Sequence, residues 1–357
     1  MKFDRYSLTM LTEYITSARE ELGGRLVIPA HHYIAPDIVD IADFTGDSYK
    51  LAVDVSRTSA EFIVFCGVKF MADGAAVLAK EGQHVLMPEP RAGCPMADMI
   101  TASEADAALK AINAVSPRET APVVYMNSHA DAKSFCGRNN GSVCTSSNAK
   151  KIVKHYLDAG MNVFFFPDYH LGSNVADELG VSPDMTARVY NDFTFETTGE
   201  LSAVKVFLWN GFCPVHYDFD VEDVQRMRSH YPDGKVVIHP ESKRAVADIA
   251  DMSGSTQFIY DTISKSDPGS TWIVGTELTF VQRIARDFSD RVIEPLKPSP
   301  CPDMRKVTLK STALAVSSVL DYVNGNGSLL NEVHVNQEHV EGAKIALERM
   351  IEIVEKG

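Results

Sequence analysis

The sequence predicts an α/β protein built from three similar α/β/α domains with small parallel sheets, in a pseudo-threefold triangular arrangement around a central active site. Three observations predict it. The apolar runs FIVFC, NVFFF and TWIVG are short and continuous, as in parallel strands covered on both faces. They alternate with helix-like segments. One order of features also recurs three times, which marks an internal repeat: a strand with a polar end, a hydroxyl-bearing helix start, a buried strand, a helix, and a strand closing on Cys-Pro.

Each element follows in order. Residues 1–22 read as an amphipathic helix. The first domain, 24–105, runs from LVIPAHHY through Gly46-Asp47-Ser48 and FIVFCGVKFMADGAAVLA to VLMPEPRAGCP. The second, 106–218, runs from PVVYMNS through Thr145-Ser146-Ser147 and NVFFFPDYHLGSNVADEL to VKVFLWNGFCP. The third, 219–305, runs from KVVIHPE through Gly254-Ser255-Thr256 and TWIVGTELTFVQRIA to IEPLKPSPCP. Residues 306–357 return as helices, one of them over Gln337 to Lys356. Ser48 follows His31 by 17 positions, and Thr256 follows His239 by 17. The middle repeat is longer, and the segment from Tyr190 to Glu200 accounts for part of the excess.

Composition excludes several classes. With 357 residues, 45% of them hydrophobic and 23% charged, the chain is globular and long enough for more than one core. Its 34 Lys and Arg against 48 Asp and Glu give a net charge of −14, which argues against nucleic acid as a partner. No apolar run approaches the roughly 20 residues of a membrane span. The first residues lack the continuous apolar stretch of a signal peptide, so a cytoplasmic location is expected.

In a doubly wound sheet, ligands bind beyond the carboxyl ends of the strands, and polar residues stand there in all three repeats. Cys94, Cys213 and Cys301 occupy the same place in each, before Pro95, Pro214 and Pro302. Three thiolates with one open position suit a [4Fe–4S] cluster with an accessible iron. Zinc is the rival metal, although the dispersed cysteines lack the close pairs of most structural zinc sites. Cys66 reads as core, and Cys136 and Cys144 as bystanders. Ser48, Ser146 and Thr256 stand at helix starts, where a hydroxyl either caps the helix or helps to hold an anion. His31, Tyr33, Tyr125, Asn127, His216, His239 and Glu241 stand at strand ends, a set suited to acid–base work.

At these residues the sequence resembles the quinolinate synthase family. AHHY, IADFTGDS, VFCGVKFMA, CPMADM, YMNS, CTSSNA, CPVH, IHPE, GST, TE and CPDMRKVTL match its motifs in order over nearly the whole chain. The resemblance implies a three-domain α/β/α triangle around an oxygen-sensitive [4Fe–4S] cluster with three cysteine ligands and one open iron site. It implies condensation of iminoaspartate (iminosuccinate) with dihydroxyacetone phosphate to quinolinate, releasing phosphate and water, in de novo NAD biosynthesis. The implied cluster ligands are Cys94, Cys213 and Cys301. The implied substrate contacts are His31, Ser48, Tyr125, Asn127, Ser146, His239, Glu241 and Thr256. Tyr33 and Glu241 match the family's acid–base residues, and His216 its histidine after the second ligand. A functional link to L-aspartate oxidase, which supplies the imine, also follows. The chain departs from many members in having His32 for Asn and Ser242 for Cys. Pro295 and Pro298 stand where some members carry further cysteines. Two other classes compete: a non-catalytic iron–sulfur or zinc sensor on the same thiolates, and a phosphosugar aldolase using a lysine Schiff base. Lys69 is the single lysine placed for the latter.

Overall fold

A computed structural model describes residues 3–356 of the chain. The expected helix over 1–22 includes Met1 and Lys2, which lie outside the described residues. The helix itself spans Leu8–Leu22, because the Ser7 side chain accepts from Met10 N and fixes the start there. No helix among the described residues is long and apolar enough to cross a membrane.

The chain divides into two compact units. The first comprises residues up to Cys94 together with Leu278–Arg283 and Pro300–Val335; the second comprises Pro95–Glu277, Ile284–Ser299 and the residues from Asn336 onward.

In the first unit, strands Leu26–Val27, Phe62–Val64 and His84–Leu86 form a parallel sheet in that order. Pro29–His31 pairs with Phe44–Gly46 in a two-stranded parallel ribbon that continues the sheet, since His31 N donates to Cys66 O (3.0 Å) and Cys66 N to Pro29 O (2.8 Å). Asp43 holds this ribbon: its backbone N–H donates to Ile28 O (2.9 Å), and its Oδ2 accepts from Ile28 N (2.7 Å). Arg19, on the first helix, donates to Ile41 O (2.9 Å) and to the Asp43 carboxylate. The helix Leu309–Val323 packs against Leu8–Leu22.

The second unit holds two sheets. One has six strands in the order Phe195–Glu196, Thr186–Val189, Val206–Trp209, Asn162–Phe166, Thr120–Tyr125, Ser142–Cys144. Every residue of Thr120–Tyr125, Asn162–Phe166 and Val206–Trp209 is buried, the burial expected of a parallel sheet covered on both faces. The pairing is parallel except at Phe195–Glu196, which folds back antiparallel on Thr186–Val189. That hairpin is the extra length of the middle repeat, and it widens the sheet beyond the small parallel one expected. The helix Gln337–Lys356 packs on Ala130–Arg138. Gly137 and Gly342 allow the approach, since a side chain on Gly137 would run into the Gly342 carbonyl and one on Gly342 into Ser134.

The other sheet runs Met252–Ser253, Lys235–Ile238, Thr271–Gly275, Val292–Pro295, all parallel. Its core gathers Phe219, Val224, Val236, Ile238, Ile273 and Leu296. Full burial of each such side chain stabilises the fold by about 1.5–3 kcal/mol. The device at Asp43 recurs here. Asp251 N donates to Val236 O (2.9 Å), and its Oδ2 accepts from Val236 N (2.7 Å). Arg228 donates to Ile249 O (2.9 Å) and Asp251 (3.0 Å).

Candidate active site

In the second unit, three parallel strands deliver polar residues at their carboxyl ends. Thr120–Tyr125 ends in Tyr125, Lys235–Ile238 leads into His239, and Thr271–Gly275 leads into Thr276. The short helix Pro214–Tyr217 supplies His216, with Cys213 at its cap.

These residues meet around Glu241. Tyr125 Oη donates to Glu241 Oε1. His216 Nδ1 lies 2.7 Å from Glu241 Oε2, and its Nε2 lies 3.0 Å from Thr276 Oγ1. The His216 and His239 rings stack, centroids 4.3 Å apart and 18° from parallel. His239 Nδ1 accepts from Glu241 N (3.4 Å), so its proton sits on Nε2, 3.2 Å from Ser146 Oγ. Tyr125, His216, His239 and Glu241 are all buried.

Electrostatics fix the protonation states. Burial pushes the Glu241 carboxyl up, but the His239 and His216 rings and the hydrogen bonds from His216 and Tyr125 outweigh it and hold it at about 2. Glu241 is therefore a buried carboxylate. Burial first, then the neighbouring His216, lowers His239 to about 3, which keeps that imidazole neutral.

Other expected residues are placed as follows. Asn127 follows the same strand end as Tyr125, and its buried Oδ1 takes no hydrogen bond from any described residue. Ser48 and Thr256 are the first residues of helices Ser48–Arg57 and Thr256–Ser264. Neither is the cap: Asp47 accepts from Lys50 N (3.0 Å) and Ser255 from Phe258 N (3.3 Å). Ser146 precedes the helix Ala149–Asp158, whose cap residue is Asn148. The capping alternative thus fails for all three hydroxyls.

In the first unit His31 repeats the His239 arrangement. Its Nδ1 accepts from Tyr33 N (3.2 Å), and the two rings meet edge to face at 4.7 Å. His32 is buried, with Nδ1 accepting from Arg283 Nη2 at 2.9 Å. The loops carrying Cys94 and Cys301 are tied together, because Gly93 N donates to Asp303 Oδ1 (3.0 Å) and Lys306 bridges Asp303 (2.7 Å) and Arg91 O (3.0 Å).

Sequence reasoning missed three supporting residues. Thr276 braces His216. Asn174 donates to Pro240 O (2.8 Å) and Ser242 O (2.9 Å), clamping the His239–Glu241 turn. Asp168, fully buried, caps the helix Tyr169–Glu178 by accepting from Leu171 N (2.8 Å). The sequence signal was present for Asp168, an acidic cap between a strand and a helix. Burial, reinforced by the Glu241 charge, pushes its carboxyl well above the usual range, against the pull of nearby backbone N–H groups at Leu171, His170 and Cys213. Asparagine keeps the oxygen that accepts from Leu171 N and is a close mimic as a cap. Asp168→Ala is expected to lose about 1–3 kcal/mol through the lost cap and orphaned donors. Asp168→Asn should lose under about 1 kcal/mol. Urea unfolding of both variants tests this, and equal losses would refute it.

The family described as Quinolinate synthetase A protein matches residues 13–352. The chain belongs to the quinolinate synthase family. With it the chain joins the enzymes of NAD biosynthesis. Similar proteins include the quinolinate synthases of Geobacillus thermodenitrificans, 41% identical over 94% of this chain and 91% of that protein, and Corynebacterium glutamicum, 39% identical over 99% and 90%. That of Haloarcula marismortui is 38% identical over 96% and 91%.

Quinolinate synthases are an iron–sulfur family, and the six cysteines here sort into two groups of three. Cys66, Cys136 and Cys144 are buried. Burial raises the Cys66 thiol to about 12 and the other two well above the ordinary value, so they remain protonated core residues. Cys94, Cys213 and Cys301 are only partly buried and are the repeat-equivalent set.

Proposed function

We propose that this chain condenses iminoaspartate with dihydroxyacetone phosphate to quinolinate, releasing phosphate and water, with Cys94, Cys213 and Cys301 as the ligands of one [4Fe–4S] cluster. In this reading the three repeats form the three-domain triangle expected from the sequence, with their strand ends around one site, in a cytoplasmic enzyme. The observation that carries it is the buried Glu241 carboxyl, held between Tyr125 and His216. A carboxylate shielded from water and aimed by two fixed partners is placed to take a proton from carbon.

When bound, a cluster with an open iron supplies a Lewis acid that draws charge from an oxygen ligand. The remaining work falls to the chain. Glu241 accepts the proton released as the three-carbon unit passes between carbonyl and enol. Tyr125 and His216 keep that carboxylate aimed and charged. Tyr33 moves protons at oxygen. His31 and His239, each fixed as the Nε2–H tautomer by a backbone donor at Nδ1, present N–H groups to substrate oxygens. Asn127, whose Oδ1 lacks a described donor, orients the imine. Ser48, Ser146 and Thr256, relieved of capping, bind the anionic groups beside helix-start N–H groups.

The test is direct. Anaerobic, cluster-loaded protein receives dihydroxyacetone phosphate and imine generated from aspartate by an L-aspartate oxidase. Quinolinate and phosphate are expected in equal amounts. Absence of quinolinate from fully loaded protein would refute the assignment. Thr256→Ala should weaken dihydroxyacetone phosphate binding roughly tenfold or more, the loss of one charge-assisted hydrogen bond. Unchanged affinity would remove Thr256 from the phosphate site.

A further inference from the structure

Cys213, His216 and Glu241 have a second chemistry available. One ligand atom from each lies within 4.8 Å of the others. Thiolate, imidazole and carboxylate are the donor types of three-ligand zinc sites, which keep a fourth position for water or substrate. The outer partners that such ligands need are already in place. A metal-bound imidazole donates its second N–H to an oxygen acceptor. With Nδ1 toward the metal, His216 Nε2 faces Thr276 Oγ1 at 3.0 Å. A metal-bound carboxylate is steadied by a donor on its other oxygen, and Tyr125 Oη donates to Glu241 Oε1 while Oε2 faces His216.

We infer that Cys213, His216 and Glu241 form a mononuclear site for a zinc-like divalent cation, sharing Cys213 with the three-cysteine set. The proton balance is simple. Cys213 releases its thiol proton to solvent. The imidazole keeps one proton, on Nε2, where Thr276 Oγ1 accepts it. Glu241 enters as the carboxylate it already is. The cation takes the place between His216 Nδ1 and Glu241 Oε2, 2.7 Å apart and now joined by a hydrogen bond, so these groups must part by about an ångström to reach the spacing that bonds of about 2.0–2.2 Å require. Occupancy would hold Glu241 and His216 out of acid–base work. If the proposed cluster reading is also right, it would withhold Cys213 from the cluster, so the cation would block cluster assembly in protein that has lost iron.

Cobalt(II) is the probe, because a bound thiolate gives it a near-ultraviolet charge-transfer band and a four-coordinate site an intense visible spectrum. Full-length protein freed of iron under anaerobic conditions is titrated with cobalt(II) alone. One equivalent is expected to bind with a single-thiolate band, displaced by zinc. The band should persist in Cys94→Ser and Cys301→Ser and vanish in Cys213→Ser. Thr276→Val, which removes an outer partner only, should weaken binding roughly 10–100-fold. Circular dichroism checks that each variant is folded. Loss of the band in Cys94→Ser or Cys301→Ser would place the metal on the three thiolates and overturn the inference, as would failure to bind or a band that survives Cys213→Ser. Iron and sulfide analysis of cluster-loaded protein is read separately. Four irons without a cobalt site would remove this inference and leave the proposed function standing; a cobalt site without cluster loading would do the reverse.

Discussion

Cys94→Ser, Cys213→Ser and Cys301→Ser are each expected to abolish quinolinate formation and cluster binding, whereas Cys66→Ala, Cys136→Ser and Cys144→Ser retain both. Serine preserves size but offers a hydroxyl, which stays protonated where a thiolate is needed. The burial pattern makes the division sharp. The three retained thiols are buried, and that burial raises them and keeps them protonated. Cys66 Sγ has a protein neighbour of its own, 3.7 Å away at Thr312 Oγ1. The other three are partly open and stand directly before Pro95, Pro214 and Pro302. Iron and sulfide analysis under anaerobic conditions decides the matter. About four irons per chain are expected in the wild type and the second group, the content of the proposed cluster. Retention of iron in two of the first three variants would refute the one-ligand-per-repeat assignment.

Much of the fold was legible because parallel strands buried on both faces leave continuous apolar runs, and Asn162–Phe166 is buried throughout as NVFFF reads. The repeat was legible at its strand ends and runs deeper than those motifs. Asp40-Ile41-Ala42-Asp43 and Asp248-Ile249-Ala250-Asp251 are identical tetrapeptides. Their last aspartates make the same pair of backbone hydrogen bonds to Ile28 and Val236. Arg19 and Arg228 hold them, although the two arginines stand in unrelated local sequence. Long-range partners of this kind have no spacing to betray them.

The same limit applies to the site. Tyr125, His239 and Glu241 were legible because polar residues at the ends of apolar strands are out of place unless they serve a ligand; His216, read as a strand-end residue too, stands instead on the helix Pro214–Tyr217 that follows Cys213. Asp168 and Asn174 were not singled out, and Thr276 entered only within the TE motif, with no role given to it. A buried cap reads like any other cap, and a buried asparagine within a helix has no pattern of its own. Which hydroxyl caps a helix was also ambiguous in Gly46-Asp47-Ser48 and Gly254-Ser255-Thr256, where two candidates adjoin. Backbone geometry resolves it: Asp47 and Ser255 take the cap positions, and Ser48 and Thr256 begin the helical turn.

Glu241→Gln is expected to leave the cluster and substrate binding intact and to lower turnover by roughly 10²–10⁴, the usual contribution of a general base. Glutamine matches glutamate in shape, so the change isolates the charge. The amide also has two hydrogens where the carboxylate accepted from both Tyr125 and His216. One of those partners must then turn away or reverse its role. Turnover therefore falls for two reasons: the base is gone, and its frame is disturbed. Tyr125→Phe separates them, since it keeps the carboxylate while removing one donor that holds Glu241 ionised. It should cost less in turnover than Glu241→Gln. Tyr33→Phe removes a hydroxyl whose ring packs on His31 at 4.7 Å, and it should also lose roughly 10²–10⁴ with binding retained. Single-turnover assays with saturating substrates and a verified cluster measure these losses, and chromatography of the quenched mixtures detects condensed but uncyclised material. Such material should accumulate in Glu241→Gln and Tyr33→Phe, because each blocks proton transfer after the substrates have joined. Full-rate quinolinate formation by Glu241→Gln would leave Glu241 a positioning residue for His216 and transfer the base to another group at the strand ends.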